Sequence, residues 1–238
     1  MWGVGHASAE KPRKRGVTTA YDVTQLSKKW VRKNLGVTGE RTYKELQGTA
    51  CIELELLPPD KQQICTSRIF GKPVNDFGLL RESVATYASI CCERLRKQRC
   101  CAASIMVFTC VRSGIYGKDW HEVAQNSAIT LPTPTNSTLE IVRGATEAVR
   151  QLYSPGYQYT KAGIILTQLV PDSSVQLSLL DTSDQAKHAK LMEVMDKYNS
   201  GFIRSRIRLA AQGTANTKWK LKQELLSPCY TTRISDVL

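Results

Sequence analysis

Residues 76–99, DFGLLRESVATYASICCERLRKQR, decide how the middle of this chain folds. Leu80, Val84, Tyr87, Ala88, Cys91 and Leu95 recur at i, i+3, i+4 spacing and make one apolar stripe of a helix. Asp76 is placed to accept from the free amides of the first turn, so the predicted helix runs from there to about Arg99. Gln63 to Phe70 before it and Ala103 to Val111 after it read as strands. After a polar loop, Ala128 to Leu131 offers a short third strand. Ser137 and Glu140 form an S-x-x-E capping box opening a second helix, whose buried stripe is Val142, Ala145, Val149 and Leu152. Tyr159 to Leu169 closes as a fourth strand. The order β-α-β-β-α-β predicts an α+β class, with a split βαβ (ferredoxin-like) unit over residues 61–169. Fold alone carries no function.

Outward from this unit, residues 49–60 read as a linker. The Cys51–Leu57 alternation is extended chain, and Pro58-Pro59 blocks helix and central strand alike. Glu53 and Glu55 share one side of that chain, as a metal-binding pair or, more simply, as a solvated face. Residues 1–48 hold ten Lys/Arg against four acids, with Gly16, Gly36 and Gly39 between short periodic stretches that predict several small helices. Residues 170–186 are polar with a small apolar island and read as an exposed tether. Residues 187–238 open with a helix whose inward face is Leu191, Val194, Met195 and Tyr198, ended by Asn199-Ser200-Gly201. Arg204, Arg206 and Arg208 then alternate on one side of a predicted strand, as a binding row or a solvated edge.

The whole chain carries a formal charge of +12 at 42% hydrophobic and 23% charged residues, an ordinary globular composition. Such a surplus favours a polyanion. Its spread through folded-looking segments points to nucleic acid ahead of an acidic membrane face. No apolar run approaches the ~20 residues of a spanning helix, and Met1 to Arg15 has no apolar signal region, which predicts a cytoplasmic protein. Of eight cysteines, none makes the C-x-x-C spacing of a zinc knuckle, and His6, His121 and His188 lie far apart. Reduced, mostly packed thiols and no metal are expected.

Two short motifs carry chemistry. Trp2-Gly3-Val4-Gly5, followed by a basic helical stretch and Gly16-Val17, resembles a helix–hairpin–helix element, in which glycines turn the backbone so that helix-start amides face a DNA phosphate. Pro12 falls where the first helix should run and is expected to break or kink it. Gln176-Leu177-Ser178-Leu179-Leu180 resembles the pentapeptide by which bacterial replication proteins plug into the sliding clamp, with Leu180 where Phe is usual.

The chain as a whole resembles the UmuC-type, Y-family translesion DNA polymerases. The resemblance rests on Trp2-Gly3-Val4-Gly5, Glu40-Arg41-Thr42 with Glu45-Leu46, Arg68-Ile69-Phe70-Gly71 and Tyr159-Thr160-Lys161-Ala162-Gly163, in that order. It continues through Ala211-Gln212-Gly213, Trp219, Leu226-Ser227-Pro228 and Tyr230-Thr231-Thr232-Arg233. It implies a thumb at 1–48, a little finger at 61–169, a clamp-binding tether at 170–186 and a C-terminal extension at 187–238. It also implies primer-template DNA, the sliding clamp, a UmuD-type subunit and RecA as partners, in a nucleoid-associated protein of the SOS response. Expected phosphate contacts are Gly3 and Gly5 in the thumb, and Arg68, Lys72, Arg112 and Lys161 on or beside the strands. The family's magnesium ions are held by palm carboxylates upstream of the thumb. This chain begins at the thumb glycines, so no catalytic residue carries over and no polymerisation is expected from it alone. A free-standing module competing for clamp and DNA, or an inactive gene remnant, would show the same residues.

Overall fold

The apolar stripe of residues 80–95 forms helix α4 (Phe77–Lys97), and Leu80, Val84, Ala88, Cys91 and Leu95 are fully buried. Asp76 caps it, its Oδ1 accepting the Leu79 N–H at 2.8 Å. Small residues widen the buried band: Ala85 and Cys92 are closed off too, which lets a second helix approach. Arg99 then takes φ +53° and turns the chain into the next strand.

The computed structural model describes residues 4–54, 56, 59–113, 121–176, 184–200, 207–214, 219–221 and 224–237. They fall into two units, Met1–Pro59 and Asp60–Leu238. In the second, β1 (Ile64–Val74), α4, β2 (Cys100–Ser113), β3 (His121–Thr135), α5 (Thr138–Leu152) and β4 (Gln158–Pro171) follow the element order expected from the sequence. The sheet is antiparallel in the order β1-β4-β2-β3. Both crossovers are split: β4 lies between β1 and β2, and β2 between β3 and β4. The strands outrun their sequence limits, β3 most of all, because pairing with β2 from Ala102 to Ser113 extends polar residues that have no strand pattern of their own.

Three local expectations fail, each to a tertiary contact. The capping box does not form. Ser137 is the N-cap of α5, yet its hydroxyl is buried without a partner among the described residues. Helix α6 (Gln185–Asn199) covers that end, so the Thr138 N–H meets Met192 Sδ at 3.3 Å, and Glu140 turns to His188 Nδ1 at 3.6 Å. Helix α6 is also rotated from its expected orientation. Met192 and Met195 are buried, while Leu191, Val194 and Tyr198 are exposed, because Asp196 is drawn to Arg96 on α4. Finally, Ile207 to Leu209 form no strand, since the Asn199 side chain takes both the N–H and the C=O of Ile207 at 3.0 Å. Arg208 is exposed there, while Arg204 and Arg206 lie outside the described residues.

The first unit is helical: α1 (His6–Arg13), α2 (Ala20–Thr24) and α3 (Lys28–Leu46), around a small core of Val23, Val31 and Tyr43. Pro12 sits within α1, which ends one residue later. Its carbonyl accepts from Arg15 and Val17 and so turns the chain. Gly36, at φ +72°, breaks α3. Glu40 is held by Arg32 at 2.7 Å with Lys44 and Lys28 nearby, and the Arg32 hydrogen bond lowers its carboxyl below the usual range. Beyond α3, Glu45 Oε1 accepts from Cys51 and Ile52, and Glu53 faces solvent; Glu55 lies outside the described residues.

Among the described residues no helix is long and apolar enough to cross a membrane, and no three His, Cys, Asp or Glu side chains converge as metal ligands would. Burial pushes the Cys91 thiol up to about 11 and the Cys92 thiol up to about 12, so both stay protonated, while Cys65 and Cys229 are exposed. A thiol reagent at neutral pH should therefore label Cys65 and Cys229 in the native protein. Cys91 and Cys92 should react only once it is unfolded, as peptide mass mapping would show.

Candidate nucleic-acid interface

The sheet has two unlike faces, and register shows which residue belongs to which. Ala102, Ile105, Val107, Thr109 and Val111 of β2 and Ala162, Ile164 and Leu166 of β4 are buried beneath α4 and α5. The alternate residues look the other way. They are Cys65, Ser67 and Ile69 on β1, Lys161, Gly163 and Ile165 on β4, Met106, Phe108, Cys110 and Arg112 on β2, and Ala124, Asn126 and Ala128 on β3. Register also places Glu122 of β3 on this face, opposite Arg112, and α4 and α5 both pack on the other side of the sheet.

Its centre is built by three residues. Gly163 is registered between Phe108 and Ser67, and a Cβ there would run into the Phe108 ring and Ser67 Cβ. The missing side chain lets the ring lie flat across the sheet. Lys161 Nζ then stands 5.7 Å above the ring centroid, a cation–π contact that holds an ammonium over an apolar floor. Arg112, one step along β2, is exposed and registered opposite Glu122.

The other expected contacts are placed apart from this pair. Arg68 is registered against buried Ala162, so it projects to the helix side. There it faces the Tyr87 phenol, which burial pushes up to about 12 and the guanidinium partly restrains. Arg94 joins it at that edge, donating to the Cys65 carbonyl at 3.2 Å. Lys72 is exposed within the bulged stretch between Ile69 and Val74. Gly5 is the N-cap of α1, in extended backbone and without a side-chain cap, and the Ala9 N–H donates to its carbonyl at 3.0 Å. Gly3 lies outside the described residues. So do Leu177, Ser178, Leu179 and Leu180, while Gln176 is exposed. Sequence reasoning missed Phe108, whose signal was a large aromatic at an outward position of an alternating strand.

A groove of about 1180 Å³ runs along α5, beside Ile129, Leu131, Leu139 and Leu209, on the helix side rather than on the open face.

The impB/mucB/samB family C-terminal domain matches residues 61–179, half of the chain. The chain belongs to this family. A second match, over residues 189–238, is to a domain of unknown function, DUF4113. Among curated relatives, the chain is 36% identical to protein UmuC of Salmonella typhimurium, covering 100% of this chain and 56% of that protein. It is 35% identical to protein ImpB of the same organism, covering 100% and 55%. A more distant relative, DNA polymerase IV of Desulfatibacillum aliphaticivorans, is 23% identical over 85% of this chain and 50% of its own length. This impB/mucB/samB chain thus spans about half the length of the curated relatives it matches.

Replacing Gly163 by Val should force Phe108 off the sheet or Ser67 out of register. The expected cost is about 1–3 kcal/mol in a denaturant titration, typical of overpacking. A variant as stable as the parent would mean that Phe108 does not lie across the strand.

Proposed function

We propose that this chain is the duplex-gripping part of an error-prone, lesion-bypass DNA polymerase. Residues 1–48 act as thumb and 61–169 as little finger, with a tether over 170–186 and an extension over 187–238. The observation that carries the reading is the sheet face turned away from α4 and α5, on which Lys161 stands above Phe108 beside Arg112. A formal charge of +12 supplies the long-range attraction, and a distant relative named DNA polymerase IV supports the substrate class. The lysine and arginine meet phosphates, and the flat, mostly neutral surroundings of Gly163, Cys110 and Asn126 let a duplex approach. No side chain is assigned to base edges, so the grip is read as indifferent to sequence.

In this reading Gly3 and Gly5 offer helix-start amides to a phosphate. Gln176, Leu177, Ser178, Leu179 and Leu180 engage the sliding clamp, and a UmuD-type subunit and RecA join the assembly at the nucleoid during SOS mutagenesis. In this reading the magnesium ions of polymerisation are held by the family's palm carboxylates, and the described residues of this chain serve to grip the duplex.

Fluorescence anisotropy on a primer-template duplex at two salt concentrations tests this. Binding should weaken steeply with salt. Lys161→Glu should lower affinity about tenfold or more, and Lys161→Ala should flatten the salt slope by about one unit. Adding clamp should tighten binding, and Gln176→Ala with Leu177→Ala should remove that gain while leaving duplex binding intact. Absence of binding at low salt sinks the proposal.

A further inference from the structure

Among the described residues, the segment matched by the domain of unknown function meets the rest of its unit at three places. At the first, Asp196 of α6 takes Nε and Nη2 of Arg96 at 2.6 and 2.7 Å. The same guanidinium donates to the Asn136 carbonyl at 2.8 Å and to Thr138 Oγ1 at 3.0 Å. One side chain therefore joins α4, the start of α5 and α6, in the planar bidentate geometry that suits arginine. Met192 is buried against the same helix start.

At the second place, Leu209 and Ala211 pack on the main core, and Gln212 folds back to accept the Leu209 N–H at 2.9 Å. Gly213, at φ +65°, leaves the space in which the Glu82 carboxylate of α4 sits. At the third, Trp219 is 7% exposed and belongs to the main core. Its ring meets Tyr87 edge-on at 5.6 Å, and its Nε1–H donates to Glu82 Oε1 at 3.2 Å. The next carbonyl, that of Lys220, accepts from Gly71 N–H at 3.2 Å, inside the bulge of β1.

The described buried residues of the segment form no cluster of their own, and Trp219 counts in the core of the sheet unit. A stretch of about fifty residues without a core buries too little surface to fold by itself. Conversely, two part-buried charged groups of α4, the Arg96 guanidinium and the Glu82 carboxylate, find partners here. We propose that the described residues of this segment, 189–200, 207–214 and 219–220, are an intramolecular brace: a third layer that clamps α4 and α5 onto the sheet and pins the bulged end of β1. It is neither an autonomous domain nor a free tail on the tether. All three contacts lie on the helix side or the β1 edge, so the described residues of the brace leave the open face clear. The proposal stands whether or not that face binds DNA.

Hydrogen exchange of the full chain, followed by mass spectrometry across a urea series, tests it. In the brace, peptides from α6 and from around Trp219 lose protection at the same urea midpoint as those from α4 and β2. Trp219→Ala should lower all of these midpoints together, by about 1 M or more. Asp196→Asn, a milder change at a part-exposed site, should lower them together by less. If Trp219→Ala cannot fold, the unsubstituted chain and Asp196→Asn still decide the matter. Separate transitions for α6 and α4 in the unsubstituted chain overturn the proposal. So does a Trp219→Ala effect confined to the C-terminal segment.

Discussion

Helix α4 is buried on two sides, and the rest of the second unit depends on that. Leu80, Val84, Cys91 and Leu95 close the core over β2 and β4. Each such side chain contributes on the order of 1.5–3 kcal/mol when withdrawn from water. Tyr87, Glu82 and Arg96 are then covered by the C-terminal segment, through Trp219 and Asp196. Because the helices and this further layer lie on one side, the opposite face of the sheet is left without them. Asymmetry of packing makes the candidate site as much as any residue on it does.

That face is not a conventional cluster of charges. The chain's positive surplus is dispersed, and only Lys161 and Arg112 among the expected contacts share the open surface. Its other features are the absence of a side chain at Gly163 and the flat ring of Phe108, which together make a smooth floor with an ammonium fixed above it. A surface of this kind suits a regular polyanion better than a small ligand, for which enclosure and converging polar groups are the rule. Arg68 and Arg94 lie on the far side of β1, beside Tyr87. They would meet a ligand only at the sheet's edge.

The brace also bears on Asp172 and Asp184, which flank the proposed clamp-binding residues. The Asp172 N–H donates to the Arg99 carbonyl at 2.9 Å, and Asp184 caps α6, which is itself held by Arg96. Both ends of the segment bearing Gln176 are thereby fixed to the same body. For the proposed clamp contact, anchoring at both ends would reduce the freedom lost on binding relative to a free tail.

Much of this was legible in the residues. The period of 3.6 in residues 80–95, the cap at Asp76, the alternation from Ala103 to Val111 and the motifs shared with UmuC-type proteins specify local conformation and ancestry. Both depend only on neighbours in the chain. The sequence by itself therefore determined the element order, the faces of α4 and α5, and the family. Strand order, with β1 at the edge and β4 between β1 and β2, depended on which strands meet across long separations. The uncapped Ser137, the turned α6 and the lost strand at Ile207 each followed from a partner remote in sequence or from a side chain that competed for the backbone. The same holds for the sharing of one face by Phe108, Gly163 and Lys161, and for the burial of Trp219 against Tyr87. Only the tertiary structure decided these, because a hydrogen bond or a packed ring is assigned by proximity in space, which no local period encodes.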